Sequence, residues 1–120
     1  MSWNVEYTDE FGEWWIGLSD REQEDITAIA ILLMEYGPNL PFPHSSGVAG
    51  SKHRHMRELR IQSRGKPIRI LYAFDPTRSA ILLIGGNKTG DQRFYKKMIP
   101  AADRLYDDHI EQLRKEGLIR

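Results

Sequence analysis

The stretch from Lys52 to Arg69, KHRHMRELRIQSRGKPIR, concentrates the side chains best suited to handling a phosphate. Seven bases, Lys52, Arg54, Arg57, Arg60, Arg64, Lys66 and Arg69, stand against Glu58 alone, a local balance of +6. The stretch alternates polar and apolar residues and turns at Ser63-Arg64-Gly65-Lys66, which predicts an antiparallel hairpin. Residues an even number apart on a strand share a face, so Arg57 and Arg60 should point oppositely. Arg60 is expected to join Arg69 across the hairpin, with Lys88 arriving at the end of the next strand. Permanently charged, planar guanidinium groups on a rigid sheet suit phosphate recognition and the charge of a developing phosphorane. The competing reading is plain cross-strand pairing with acids such as Glu58. Arg54, Arg57, Arg64 and Lys66 are assigned to the electrostatic surround of such a site.

Two further groups could move protons. His55, with His53, flanks Arg54, and imidazole is the side chain whose charge changes near neutral pH. Tyr95 follows Lys88 by seven residues and could donate a proton or stack on a base, unless Phe94 and Tyr95 simply pack on the sheet. The i, i+2 spacing of the histidines does not match the usual zinc patterns, so neither metal nor cofactor is expected. His44 and His109 read as structural. Gly85 to Gly90, GGNKTG, lacks the GxxxxGK[ST] order of a phosphate loop, although its glycines could bring backbone amides close to a phosphate. The sequence contains no Gly-x-Ser-x-Gly elbow and no legible Ser/His/Asp order. No carboxylate pair stands out, and the acids that open the long helix read as solvent-facing.

The elements that must position these groups are legible in order. Trp3 to Tyr7 alternates with period two and reads as a strand. Thr8-Asp9 could cap a short helix whose Phe11, Trp14, Trp15 and Leu18 line one side. Ser19-Asp20-Arg21-Glu22 is a capping box, and the helix it opens carries the stripe Ile26, Ile29, Ala30, Leu33 and Tyr36 before Gly37-Pro38 ends it. Asn39 to Ser51, with two prolines and two glycines, is expected to be a loop. Leu59 to Gln62, Pro67 to Asp75 and Ser79 to Gly85 form a three-stranded meander, the last strand being central by its continuous hydrophobicity. Asp91 can cap a segment through Met98, and Pro100 either kinks that helix or opens a new one; apolar positions then recur helically from Ala102 to Leu113. The order β-α-α-β-β-β-α defines an α+β domain spanning residues 1–120.

Bulk properties narrow the classes. At 120 residues with 40% hydrophobic content, one globular core is expected. The longest apolar run is about half of the roughly 20 residues a membrane span needs, and Met1-Ser2-Trp3-Asn4 does not open a signal peptide, so a cytoplasmic protein without membrane contact is expected. The absence of cysteine excludes disulfide and thiolate chemistry. The net charge is zero but segregated: residues 1–36 hold nine acids and one base, whereas residues 52–70 carry +6 and residues 71–100 carry +3. Such polarity can focus a positive field on one surface, as a phosphate-bearing partner requires.

The segment from Met56 to Ile110, through ELR at Glu58 to Arg60, IRILYAFD at Ile68 to Asp75 and LLIGGNKTG at Leu82 to Gly90, resembles toxins of the RelE/ParE superfamily, in their HigB-like, phage-derived branch. The resemblance implies a RelE-like, microbial-ribonuclease-like fold with an antiparallel sheet flanked by helices. It implies an mRNA interferase, a metal-independent endoribonuclease that cuts messenger RNA, typically on the ribosome, and is neutralised by a cognate antitoxin, often of helix-turn-helix type. It places the site on Arg60, Arg69, Lys88 and Tyr95, with His55 as a further catalytic candidate and Arg54, Arg57, Arg64 and Lys66 in RNA binding. Two alternatives are inhibition of DNA gyrase, the activity of the ParE side, and a non-catalytic binding module.

Overall fold

The computed structural model describes residues 2–120. Its five-stranded sheet has the order β1-β5-β4-β3-β2, with β1 Asn4–Tyr7, β2 Ser45–Gly47, β3 Arg57–Ser63, β4 Lys66–Phe74 and β5 Ser79–Asn87. Strands β3, β4 and β5 form the expected antiparallel meander. Two features extend it. Strand β1 joins β5 in parallel, making the sheet mixed. Strand β2 forms inside the expected loop, Ser45 to Gly47 pairing antiparallel with Leu59 to Arg57. Ser-Ser-Gly has little strand propensity; β3 templates it, and the Ser45 hydroxyl lies 2.6 Å from the buried Tyr72 hydroxyl.

Helices α1 Asp9–Ile16 and α2 Asp20–Tyr36 cover one face, and α3 Phe94–Lys115 covers the other. The Thr8 hydroxyl accepts from the Phe11 amide at 3.0 Å and donates to the Leu83 carbonyl at 2.7 Å, so one side chain caps α1 and pins it to β5. The capping box of α2 forms as its sequence requires, Ser19 Oγ and Glu22 Oε1 each accepting from the other's amide at 3.1 and 3.0 Å. Ile26 and Leu33 of the anticipated stripe are buried, but Tyr36 is exposed. At 100° per residue Tyr36 falls about 80° away from Ile26, off the stripe. Gly37 ends the helix at φ 57°, and the Trp3 indole sits 2.4 Å from where a Cβ would project.

Strand alternation separates two cores. Leu59, Ile61, Ile68, Ile70 and Tyr72 face α1 and α2, whereas Leu71, Ala73, Ile81 and Leu83 face α3 with Ala102, Leu105 and Tyr106. The β3–β4 hairpin closes on two residues with positive φ, Arg64 at 48° and Gly65 at 78°, the mirror-image turn that matches strand twist. Asp91 does not cap α3 directly. Its carboxylate accepts from the Arg93 amide at 3.0 Å, forming the turn from which the helix starts at Phe94, and the helix then runs through Pro100. Among the described residues no helix is long and apolar enough to cross a membrane.

Gly85 and Gly86 belong to β5 and act in packing, not as a phosphate loop. A Cβ on Gly85 would lie 2.4 Å from the Trp14 ring, and one on Gly86 would lie 3.0 Å from Phe94. Gly85→Ala is therefore expected to destabilise the fold by about 1–3 kcal/mol, read as a lowered urea midpoint, because α1 must be pushed off the sheet.

The β4–β5 turn is held by Asp75, whose buried carboxylate accepts from Thr77 N at 2.9 Å, Thr77 Oγ1 at 2.6 Å and Ser79 N at 3.1 Å, with His109 Nε2 at 2.7 Å. Burial opposes the charged form, but the hydrogen bonds of His109, Thr77 and Ser79 outweigh it and hold the carboxyl below its usual value. A depressed carboxylate stabilises the fold above its unfolded value, roughly 4, and that stability drains away as pH falls through the folded value. Asp75→Asn should therefore flatten the acid limb of a plot of melting temperature against pH below about pH 4, while lowering stability by about 1–3 kcal/mol at neutral pH.

Candidate active site

On the α3 face of the hairpin, Arg60 and Arg69 are direct cross-strand partners, and Gly86 is the β5 partner of Arg69. Arg57 points to the other face, where its Nε donates to Ser45 Oγ at 2.9 Å. Between the two arginines lies Glu58, two residues before Arg60 and so on the same face. Its side chain is almost wholly buried. Arg60 Nη1 donates to Oε2 at 3.1 Å, and the Tyr95 hydroxyl, from the first turn of α3, donates to Oε1 at 2.6 Å. Lys88 leaves the end of β5 and places its ammonium 5.4 Å from the Tyr95 ring centre. Three residues named from the sequence, Arg60, Arg69 and Tyr95, thus gather around one carboxylate, and the fourth, Lys88, lies over the Tyr95 ring.

Arg69 is the least satisfied member of this group. Its side chain is 7% exposed, and its Nε lies 4.0 Å from Glu58 Oε1, beyond hydrogen-bond reach. Nη1 donates only to the carbonyl of Ile68, and Nε has no hydrogen-bond partner at all. A buried guanidinium donor without an acceptor is costly, and an anionic oxygen over the hairpin would satisfy it. Burial, followed by the hydrogen bond and charge of Glu58, raises the Tyr95 phenol to about 12, while the Arg69 cation partly offsets this. At neutral pH the phenol keeps its proton and serves as a donor.

His55 does not join this cluster. Its Nε2 lies 3.1 Å from the Tyr106 hydroxyl, which itself donates to the Phe74 carbonyl. Tyr106 stands eleven residues after Tyr95 on α3, about 16 Å further along the axis. His53 lies beside it, its Nε2 2.8 Å from Asp107, which also pairs with Lys52. The chain entering β3 at Arg57 is anchored to the middle of α3, at Asp103, Tyr106 and Asp107, so the strand itself separates His55 from Arg60. Arg54 is exposed on that same approach. Arg64 and Lys66 occupy the opposite, distal tip of the hairpin. Lys66 Nζ donates to Glu22 at 3.0 Å, and Ser63 Oγ donates to Asp25 at 2.6 Å. Glu22 and Asp25 are therefore engaged by the hairpin and not simply solvated.

Sequence reasoning overlooked two members. Glu58 entered only as a counter-charge, although its i, i+2 relation to Arg60 was a sufficient signal. Phe42 had no signal: it lies in the Pro-rich connection, 69% exposed, with the Arg60 guanidinium 5.1 Å from its ring centre. Among the described residues no three His, Asp or Glu side chains converge where they could hold a metal ion.

A model of the phage-derived Gp49-like protein family matches residues 13–107. The chain belongs to this family. Within its HigB-like branch, the Gp49-like chain is similar to two curated proteins of Mycobacterium tuberculosis. Putative toxin HigB2 is 44% identical over 101 residues, which cover 82% of the present chain and 50% of HigB2. The chain thus spans about half the length of that relative. Putative toxin HigB3 is 42% identical over 98 residues, covering 81% of the chain and 84% of HigB3. In three dimensions the Gp49-like chain resembles a chain of the M. tuberculosis toxin–antitoxin complex RelBE2, with a TM-score of 0.54 at 17% identity over 72% of this chain and 99% of that one. It also resembles a mutant of E. coli toxin RelE in the free state, with a TM-score of 0.56 at 12% identity over 78% and 92%. The α+β architecture anticipated from the sequence is therefore the RelE-like fold.

Proposed function

We propose that this Gp49-like chain is the toxin of a toxin–antitoxin pair and acts as an endoribonuclease on messenger RNA, neutralised by a cognate antitoxin. The observation that carries the reading is the pair of cross-strand arginines with an unpartnered, buried Nε on Arg69, poised beside a carboxylate and a protonated phenol. Phosphate held by Arg60, Arg69 and Lys88 would bring the scissile P–O5′ bond over Glu58 and Tyr95. The Glu58 carboxylate takes the proton of the ribose 2′-OH as its oxygen attacks phosphorus. The P–O5′ bond breaks, and the departing 5′ oxygen receives the Tyr95 phenolic proton, leaving a 2′,3′-cyclic phosphate and a 5′-hydroxyl. The arginines stabilise the charge that builds on the non-bridging oxygens. Phe42, exposed beside Arg60, is positioned to stack a neighbouring base. His55 takes no part in these steps.

The test is to induce the chain in growing cells and map RNA 5′ ends. New 5′-hydroxyl ends in messages during growth arrest are expected; intact messages during arrest would sink the proposal, and arrest accompanied by supercoiling defects would favour gyrase inhibition instead.

A further inference from the structure

The opposite side of the molecule carries an uncovered groove. Tyr7, Phe11, Trp15, Ile16, Ile31 and Met34 line a cavity of about 540 Å³ between β1, α1 and α2. Several of these side chains are strongly exposed for apolar residues, Ile16 at 78%, Tyr7 at 64% and Ile31 at 55%. A contiguous apolar surface of this kind on a small soluble domain marks a docking site. A second hollow of about 520 Å³ shares Trp15, Thr27 and Ile31 with the first and continues it to Asp20 and Glu24. The combined groove is apolar at its Met34 end and acidic at its Asp20 end, within a segment of nine acids and one base.

We infer that this groove is the seat of an amphipathic helix of the antitoxin, with an apolar stripe along its length and lysine or arginine at the end lying over Asp20 and Glu24. Naming the antitoxin as the source rests on the toxin reading above; the chemistry of the groove does not. From Met34 to Asp20 the groove follows fourteen residues of α2, about 21 Å, so the occupant is a helix of about four turns. The acidic end selects a basic partner and speeds its encounter. Because the groove lies on the α1/α2 face at the β1 edge, while Glu58, Arg60 and Arg69 lie under α3 on β3 and β4, its occupant leaves the phosphate site uncovered.

The test uses the full chain with the purified product of each immediately flanking gene, by calorimetry at two salt concentrations, alongside growth rescue on co-expression. A flanking product should bind the native chain. Ile31→Asp, at an exposed position, should weaken binding at least tenfold and abolish rescue while leaving growth arrest intact. Glu24→Lys should weaken binding and reduce its salt dependence. Arg69→Ala should bind as the native chain does. The inference is overturned if neither flanking product binds, if Ile31→Asp binds like the native chain while circular dichroism shows both folded, or if Ile31→Asp instead dissolves a homodimer without changing affinity. A chain that binds through the groove yet causes no growth arrest would refute the toxin reading and leave the groove assignment standing.

Discussion

Arg69→Ala is expected to slow RNA cleavage by about a hundredfold to a thousandfold, the loss seen when a preorganised donor to a developing oxyanion is removed. The guanidinium is held rigidly: its neighbours on β4 are buried, it faces Arg60 across the hairpin, and Gly86 on its other side presents no Cβ. Its Nε is buried, and nothing in the fold accepts from it. The same fact predicts a mild structural consequence. Glu58 keeps its hydrogen bonds from Tyr95 and Arg60, so no uncompensated carboxylate is created. Cooperative unfolding with a far-ultraviolet spectrum like that of the native chain is expected. Arg69→Lys should recover only part of the rate, because an ammonium carries the charge without the planar fork. Cleavage by a folded Arg69→Ala variant within a few-fold of the native rate would remove Arg69 from the site.

Glu58→Gln should reduce cleavage by about 10²- to 10⁴-fold, the range associated with loss of a positioned base. The amide preserves size and can still accept from one neighbour, but it cannot take the 2′-OH proton. A second readout separates chemistry from packing. The Tyr95 phenol is raised first by burial and then by the hydrogen bond and charge of Glu58. Removing the charge should lower the phenol from about 12 toward its ordinary value while burial still acts, and the 295 nm absorbance titration, taken as a difference against Tyr95→Phe, reads this directly. If the phenol shifts but the cleavage rate stays within twofold of native, Glu58 only positions Tyr95 and another group takes the proton.

Both predictions turn on a face of the hairpin that alternation alone assigns. The turn at Ser63 to Lys66 and the period of two place Arg57 and Arg60 on opposite sides, and the structure has them so. Helix boundaries followed the capping box at Ser19 and the stop at Gly37, whereas Asp91 shapes the turn ahead of α3 instead of capping it. Where burial depended on angle around a helix, as for Tyr36, apolar character alone did not decide it. Where pairing depended on a distant strand, as for β2, local propensity carried no signal. His55 illustrates the same limit at the site: three residues before Glu58 in sequence, it is drawn to Tyr106 by a loop that Asp103 and Asp107 fasten to the middle of α3.

The sequence by itself determined the hairpin, its arginine face, the capped helices and the segregation of charge, because each is written in periodicity or in contacts only a few residues apart. Only the tertiary structure decided that Glu58 would be the hub. Whether a carboxylate is solvated or buried among cations depends on which helix closes over it, and Tyr95 reaches Glu58 across 37 residues of chain. The same closure leaves Arg69 Nε without an acceptor, and the free donor on which the proposed chemistry rests comes from packing at long range.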